Sequence, residues 1–208
     1  MEASDFADQI REVAEETRAS NDRFRARAAV TIAALAMLLA VASLGGENAT
    51  KETINNNILA SDTWAFYQAK NIRQTSFRLA QEQLEILAPT LPAEQRTAAQ
   101  ARIDSYKATV ARYESEPDKD QPDNPLKGEG KVELTRRAQF YEKARDHGQA
   151  QDPNFDYAVA LFQIAIVLGS VSIVASSRLL IVLALGVGLV AAVLMLNGFL
   201  LFMDLPIG

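Results

Sequence analysis

Apolar residues along the chain are concentrated in three runs that are separated by mostly polar sequence. The runs are Ala28–Leu44, Tyr157–Ser176 and Leu179–Met203, and none of them contains Asp, Glu, Lys, Arg or His. A helix needs about 20 such residues to cross the ~30 Å hydrocarbon core of a bilayer. Core helices of a soluble bundle carry charged outer faces, which these runs lack. The pattern therefore predicts an all-α membrane protein with three transmembrane helices.

The three runs divide the chain into segments with different surroundings. We expect an amphipathic N-terminal segment at 1–27, spans at 28–45, 157–176 and 179–203, a turn at 177–178 and a tail at 204–208. The large segment between the first two spans, 46–156, then lies outside the bilayer.

Basic residues predict the orientation of the spans. Arg23, Arg25 and Arg27 lie just before the first span, Arg178 lies in the turn between the last two spans, and the tail carries no basic residue. Because Lys and Arg in short segments remain on the cytoplasmic side, we expect a cytoplasmic N-terminus. Residues 46–156 and the C-terminus would then face the periplasm of a bacterial inner membrane.

The extramembrane segment has the composition of a helical hairpin. We expect helices at Asn48–Ala88, Pro92–Ser115 and Lys131–His147, a mobile Pro- and Gly-rich loop at 116–130, and a new helix start at Asp152-Pro153. At 1.5 Å per residue, the outgoing helix has a length of about 62 Å, and the two returning helices together have the same length. Equal lengths predict a long antiparallel, coiled-coil-like hairpin inserted between spans one and two.

The second helix of this segment carries a regular apolar stripe. Its members recur at alternating four- and three-residue steps, as in a coiled-coil seam, and are Ala99, Ile103, Tyr106, Val110 and Tyr113. The first helix places polar Gln68, Thr75 and Gln83 at the positions that we assign to its seam. A single hairpin with such a seam buries little apolar surface, so we expect a homo-oligomer.

The spans contain few polar side chains. Gln163 and Asn197 are strongly polar, and each needs a hydrogen-bond partner inside the bilayer. Their positions do not favour a direct bond to each other, so we expect partners on the first span or on a neighbouring subunit. Small residues at four-residue spacing in every span indicate close helix packing, as at Ala36 and Ala40, Ala165 and Gly169, and Ala184, Gly188 and Ala192.

The most distinctive local sequence is Ser61–Lys70, which holds the single tryptophan of the chain. Asp62, Trp64, Tyr67 and Lys70 form a candidate interaction surface. The alternative is an ordinary packed helix face in which the aromatic rings neighbour the lysine. If the chain breaks at Gly45-Gly46, the tryptophan could instead lie at the membrane surface.

Composition excludes several kinds of site. The chain has no cysteine, one histidine and a net charge of −5 without a basic stripe. These features argue against a thiolate or His-rich metal site and against nucleic acid as a partner. No arrangement of nucleophile, base and orienting group is visible, so we expect no catalytic residue and no cofactor.

Three segments resemble the bacterial membrane-protein family known as domain of unknown function 4337. They are Asn48-Ala-Thr-Lys-Glu-Thr53, Ser61-Asp-Thr-Trp-Ala-Phe-Tyr-Gln-Ala-Lys-Asn-Ile-Arg73 and Leu161-Phe-Gln-Ile-Ala-Ile-Val167. The resemblance covers nearly the whole chain, and the Ser-Asp-Thr-Trp block is its most specific part. It implies three spans and a helical insert, and it brings no activity, cofactor or catalytic residue.

The sequence therefore favours a non-enzymatic inner-membrane scaffold that contacts lipids and self-associates through its hairpin and spans. Two alternatives remain open: an accessory subunit of a larger membrane complex, and a passive channel lined by Gln163, Ser170, Ser172 or Asn197.

Overall fold

Four α-helices account for most of the chain. The computed structural model describes residues 3–124 and 126–203, and within those ranges it contains no strand. The helices are α1 (Ala3–Leu87), α2 (Ala93–Glu114), α3 (Lys131–Val174) and α4 (Arg178–Leu200), and a short 3₁₀ turn, Ala88–Thr90, follows α1. The predicted all-α class is confirmed. The predicted tail at 204–208 lies outside the described residues.

Two helices continue through positions where the sequence allows a break, conditionally at Gly45-Gly46 and as a predicted helix start at Asp152-Pro153. α1 shows no break at Gly45-Gly46. α3 includes Pro153, so the predicted helix start at Asp152-Pro153 is wrong. The carboxylate of Asp152 accepts a hydrogen bond from Thr50 Oγ1 at 2.7 Å instead of capping a helix. Asn154, which directly follows Pro153, donates a hydrogen bond from its side chain to the carbonyl of Ala150 at 3.0 Å, and this bond supports the turn that the proline weakens.

Three of the helices, α1, α3 and α4, are long and apolar enough to cross a membrane. In the most apolar stretch of each helix, only 22%, 28% and 22% of the residues, respectively, are buried inside the chain. Most residues of these apolar stretches are therefore not fully buried inside the chain.

The chain forms two compact units, one made from residues 1–51 and 148–208 and the other from 52–147. The first unit packs α1, α3 and α4 around a core that includes Leu35, Phe162, Ala191 and Met195.

Small residues allow close approach within this first unit. A Cβ on Gly188 would lie 2.5 Å from Leu35 Cδ2, and one on Gly169 would lie 2.8 Å from Ile32 Cγ1. The small-residue rows predicted in the second and third spans do pack tightly. The row predicted in the first span is wrong, because Ala36 and Ala40 are exposed. α1 instead buries residues at seven-residue steps, namely Ala28, Leu35, Ala42 and Ala49.

The ring of Phe155 is closely packed in the first unit, where the residue is 1% exposed. The ring lies against glycines on both neighbouring helices: a Cβ on Gly45 would lie 2.5 Å from its Cε1, and one on Gly198 would lie 2.8 Å from its Cζ. Phe199 adds an edge-on contact at 4.8 Å between ring centroids. The glycine at 45 thus provides space for an aromatic ring and does not interrupt α1.

The second unit contains the C-terminal part of α1, α2 and the start of α3. Lys107 Nζ pairs with Glu85 at 2.9 Å, whereas Gln74 Nε2 donates to the carbonyl of Val110 at 2.9 Å. Lower numbers on α1 thus meet higher numbers on α2, which is antiparallel pairing. The stripe predicted on α2 is confirmed as its packed face, since Ala99 and Ile103 are buried and Tyr106, Val110 and Tyr113 are half-buried.

The Gly45 contact generates a stability prediction. We expect Gly45→Ala to destabilise the detergent-solubilised protein by about 1–3 kcal/mol, because the new methyl overlaps the ring of Phe155. The control is Gly186→Ala on α4, where a Cβ meets nothing within 4 Å. Thermal unfolding followed by circular dichroism measures both. An equal melting temperature for the two variants would contradict the packing described.

Candidate interaction site of the helical unit

In the second unit, α1 turns a mixed polar and apolar face toward its neighbours. The buried and half-buried residues of this face recur at three- and four-residue steps, and they are Ala60, Thr63, Tyr67, Lys70, Gln74, Phe77, Gln81, Leu84 and, directly after the helix, Ala88. We call this set the inner face. Its spacing is that of coiled-coil a and d positions, but four of its nine members carry polar or charged side chains, and these need partners.

Lys70 has the greatest need for polar partners on the inner face, because its side chain is both buried and charged. Only 6% of the residue is exposed. Its Nζ donates to Glu116 Oε2 at 3.3 Å and to the backbone carbonyl of Glu129. The rings of Phe66 and Tyr113 lie 5.6 and 5.4 Å from Nζ and add cation–π attraction. The ammonium therefore joins α1 to both ends of the loop between α2 and α3.

Gln74 lies one turn further along the inner face and joins all three helices of the unit. Its Nε2 donates to Glu114 Oε2 at 2.9 Å, and its Oε1 accepts from Lys131 Nζ at 2.8 Å. Lys131 also pairs with Glu114 at 3.2 Å. Hydrogen bonds from Gln74 and Lys131 hold the pKa of Glu114 below its ordinary value.

Glu133, at the start of α3, fixes the base of the loop. It is 6% exposed, and it accepts hydrogen bonds from Ser115 Oγ at 2.8 Å and from the backbone N–H of Glu116 at 3.0 Å. Burial raises the pKa of Glu133, but these hydrogen bonds and the nearby charge of Arg136 outweigh burial, so the net pKa lies below the ordinary value.

The loop itself has no helix or strand at residues 115–124 and 126–130, as predicted. Its two ends are joined, however, because the N–H of Glu129 donates to the carbonyl of Glu116 at 2.9 Å. Gly128 adopts φ +83°, and a Cβ there would lie 2.9 Å from the same carbonyl oxygen. Mobility of the loop stays a prediction, and any such motion would leave this bonded base in place.

The structure separates the four residues of the predicted interaction surface. Asp62 is exposed. Trp64 and Tyr67 are half-buried, with ring centroids 5.5 Å apart and edge-on, and Trp64 Nε1 donates to Glu142 Oε1 at 2.8 Å. Lys70 is buried in the contacts described above. The three members other than Asp62 thus make contacts inside the chain, as in the packed-face alternative.

The side of α1 opposite the inner face carries an unexpected row of exposed apolar residues. At steps of seven residues it carries Ile58, Ala65, Ile72, Leu79 and Ile86, all of them exposed. We call this set the outer stripe. Its four large members are 53%, 66%, 54% and 75% exposed in chain order. Relative to the inner face these are f positions, the outermost of the heptad, where a two-helix pair ordinarily has polar residues.

The outer stripe corrects the seam predicted from sequence. Gln68, Thr75 and Gln83 were assigned to the packed face of α1, but all three are exposed and flank the outer stripe. Burial of the apolar residues of α1 would turn the outer stripe toward α2 and α3, whereas the hydrogen bonds of its polar residues require the inner face to point there. The network faces inward because the buried Lys70 and Gln74 have partners only there. The seven-residue recurrence of Ile, Leu and Ala was the available signal for the stripe.

The two polar residues predicted inside the spans have different surroundings in the first unit. Asn197 is fully buried; its Nδ2 donates to Asn154 Oδ1 at 2.7 Å and to the carbonyl of Met203 at 2.9 Å. Its partners thus lie on α3 and just after α4, and the expectation of a partner on the first span or another subunit is wrong for this residue. Gln163 is exposed beside Ile164 and Val167 on α3, and no side-chain hydrogen bond satisfies it among the described residues.

Within the described residues, no three His, Asp or Glu side chains come close enough together to hold a metal ion. The candidate site is the outer stripe with the residues flanking it, and its distinguishing feature is exposed apolar surface on a helix of the second unit.

A comparison with protein-family models gives a match over most of the chain. The family model described as Domain of unknown function (DUF4337) matches residues 24–201. No curated protein and no solved structure matches the chain.

The buried carboxylate generates a pH-dependent prediction. We expect Glu133→Gln to destabilise the solubilised protein by about 1–3 kcal/mol at pH 7, because the amide keeps only one acceptor oxygen for the two hydrogen bonds from Ser115 Oγ and the Glu116 N–H. Since the pKa of Glu133 is lowered on folding, its contribution is present above the unfolded pKa of about 4.3 and is lost as pH falls through the folded pKa.

Denaturant unfolding at pH 7 and at pH 3 measures this effect. The difference between wild type and Glu133→Gln should shrink at the lower pH. Glu82→Gln, at an exposed position of α1, is the control and should change little at either pH. A wild-type advantage of equal size at both pH values would contradict the assigned role of the carboxylate.

Proposed function

Since the chain belongs to the DUF4337 family, whose description assigns no activity, we propose its function from its own surfaces. We propose a non-enzymatic scaffold of the bacterial inner membrane, in which α1, α3 and α4 cross the bilayer and residues 46–156 form an antiparallel helical hairpin outside it. Copies of the chain self-associate through the outer stripe. The exposed apolar heptad of α1 is the observation that carries this proposal.

Membrane insertion is supported by the surface of the first unit. Leu179, Val182 and Leu189 on α4 are 69%, 63% and 68% exposed. Val174, at the end of α3, is 86% exposed. Water around such a surface would be highly unfavourable, at about 25 cal/mol for each Å² of apolar area. Lipid tails accept it without cost, and Arg23, Arg25, Arg27 and Arg178 favour a cytoplasmic N-terminus.

Self-association is supported by the period of the outer stripe. A seven-residue repeat keeps one seam facing a partner helix along its whole length, because two supercoiled helices have 3.5 residues per turn. A second copy of α1 has the same repeat and can match all five positions of the stripe. The flanking Gln68 and Thr75 then lie at the edge of the contact and can fix its register through hydrogen bonds.

The first unit offers a second contact of the same kind. Gln163 exposes an amide on an apolar helix face, and an amide facing lipid lacks hydrogen-bond partners. A glutamine from a neighbouring copy satisfies it, and such interhelical bonds are worth about 1 kcal/mol. The channel alternative has less support, because Ser172 and Asn197 are fully buried inside the protomer.

Charge in the outer stripe should abolish the association. We expect Ile72→Lys combined with Leu79→Lys to weaken it by about 100-fold or more, because burial of each unpaired ammonium costs several kcal/mol. Light scattering coupled to size-exclusion chromatography in detergent should give a multiple of 22.7 kDa for the wild type and 22.7 kDa for the variant.

The matched control adds the same two charges to the outer face of α2. Ala101→Lys combined with Ala108→Lys has the same seven-residue spacing on exposed positions of the same unit, and its mass should equal that of the wild type. A 22.7 kDa wild-type protomer would overturn self-association. A stoichiometric foreign protein, retained by wild type and lost from the α1 variant, would favour the accessory-subunit alternative.

The orientation can be tested by cysteine labelling, because the natural chain has no cysteine. With residues 46–156 in the periplasm, Asp123→Cys on the exposed loop should react with an impermeant maleimide in intact spheroplasts. Asn21→Cys, exposed on the N-terminal part of α1, should react only after the membrane is disrupted. The reverse pattern would invert the proposed topology.

A further inference from the structure

A groove in the first unit brings together basic side chains from two helices. It has a volume of about 800 Å³ and lies between the N-terminal part of α1 and the start of α4. Arg23 and Arg27, one turn apart on α1, line it together with Arg178, the first residue of α4. Other arginines of the N-terminal segment, Arg18 and Arg25, do not line it.

The three guanidinium groups have no anionic partner in the part of the chain that the structure describes. Among the described residues, none of them forms an ion pair with a carboxylate. The groove contains one carboxylate, Glu16, which lies about 10 Å from Arg23 along the helix axis. In the second unit, by contrast, Lys70, Lys107 and Lys131 are all paired. The groove therefore has a net positive charge and unused donors.

The start of α4 adds a further attraction for an anion. Ser177 precedes the helix but makes no side-chain capping bond, so the first N–H groups of α4 lack a side-chain acceptor. A helix N-terminus carries a partial positive charge and favours phosphate oxygens. The planar fork of each guanidinium matches two oxygens of a phosphate group.

Apart from Glu16, Ser20 and Thr31, the remaining wall of the groove is apolar. Phe24, Ile181, Val182 and Leu185 line it, and Val182 and Leu185 are 63% and 49% exposed. On both helices the change from basic to apolar is abrupt, since Arg27 directly precedes Ala28 and Arg178 directly precedes Leu179. A ligand that fits this groove has an anionic head and a hydrocarbon body.

We propose that the groove binds an anionic phospholipid, with its phosphate at Arg23, Arg27 and Arg178 and an acyl chain against Ile181, Val182 and Leu185. This proposal rests on the membrane insertion proposed above. It adds a specific lipid contact to the general preference of basic residues for the cytoplasmic leaflet. A free phosphate would use the arginines and leave the apolar wall uncovered.

Native mass spectrometry of the full-length protein in detergent tests the site. Phosphatidylglycerol should bind wild type more tightly than phosphatidylcholine does. Arg27→Gln combined with Arg178→Gln should weaken phosphatidylglycerol binding by roughly 25-fold, at about fivefold for each basic residue. The matched control, Arg18→Gln combined with Arg25→Gln, removes the same charge from outside the groove and should bind as wild type does.

Three outcomes would overturn the proposal. Equal binding of the two lipids would remove the requirement for an anionic head. An equal loss in both double variants would indicate diffuse attraction to the basic segment. Competition by inorganic phosphate at the same concentration as the lipid would show that the apolar wall contributes nothing to binding.

Extraction with alkaline carbonate separates this proposal from the one on which it rests. If wild type stays in the membrane but shows no preference for phosphatidylglycerol, the lipid site is wrong and membrane insertion stands. If carbonate releases the wild type, membrane insertion is wrong. Circular dichroism of both double variants should match that of wild type, so that a loss of binding is not a loss of fold.

Discussion

The burial of the Lys70 ammonium determines which way α1 faces in the second unit. An unpaired buried charge costs several kcal/mol, so a lysine that is 6% exposed must have acceptors close by. The carboxylate of Glu116 and the carbonyl of Glu129 provide them, and both belong to the loop between α2 and α3. A rotation of α1 that buried its apolar residues would move the ammonium away from these acceptors. The outer stripe is exposed as a consequence.

The same constraint gives the loop its structural role. By composition alone the segment 116–130 reads as a linker, yet its ends provide the acceptors for Lys70 and donors for Glu133. A buried polar network is favourable only when every member is satisfied, because a single missing partner leaves a desolvated group without compensation. The loop therefore belongs to the packing of the helical unit, and the helices alone would lack several of these partners.

The sequence was sufficient to predict the features that follow from residue type and spacing. It was not sufficient where the contacts of a single side chain determine which face of a helix is buried. The three apolar runs, the helical class, the packed face of α2 and the irregular loop all follow from residue type and spacing. The face of α1 was assigned wrongly, because a pattern of apolar residues does not reveal that Lys70 and Gln74 have partners at sequence distances of 36–59 residues. The helix start at Pro153 failed similarly, since the packing of Phe155 against Gly45 and Gly198 is a tertiary contact.

Exposed apolar surface has a different meaning in the two units. In the first unit the exposed residues of α3 and α4 come from runs without charged side chains, so a bilayer could cover them without taking up a charge. The outer stripe has charged neighbours on the same helix: Asp62, Arg73, Arg78 and Glu82 are all exposed between its members. A bilayer that covered Ile72 and Leu79 would also have to take up these charges, at a cost of about 2.5–3.5 kcal/mol for each near its centre. A protein surface can cover a narrow stripe while the flanking charges stay in water. These charges therefore support the proposal that the outer stripe packs against another polypeptide, and the shared seven-residue period favours a second copy of this chain.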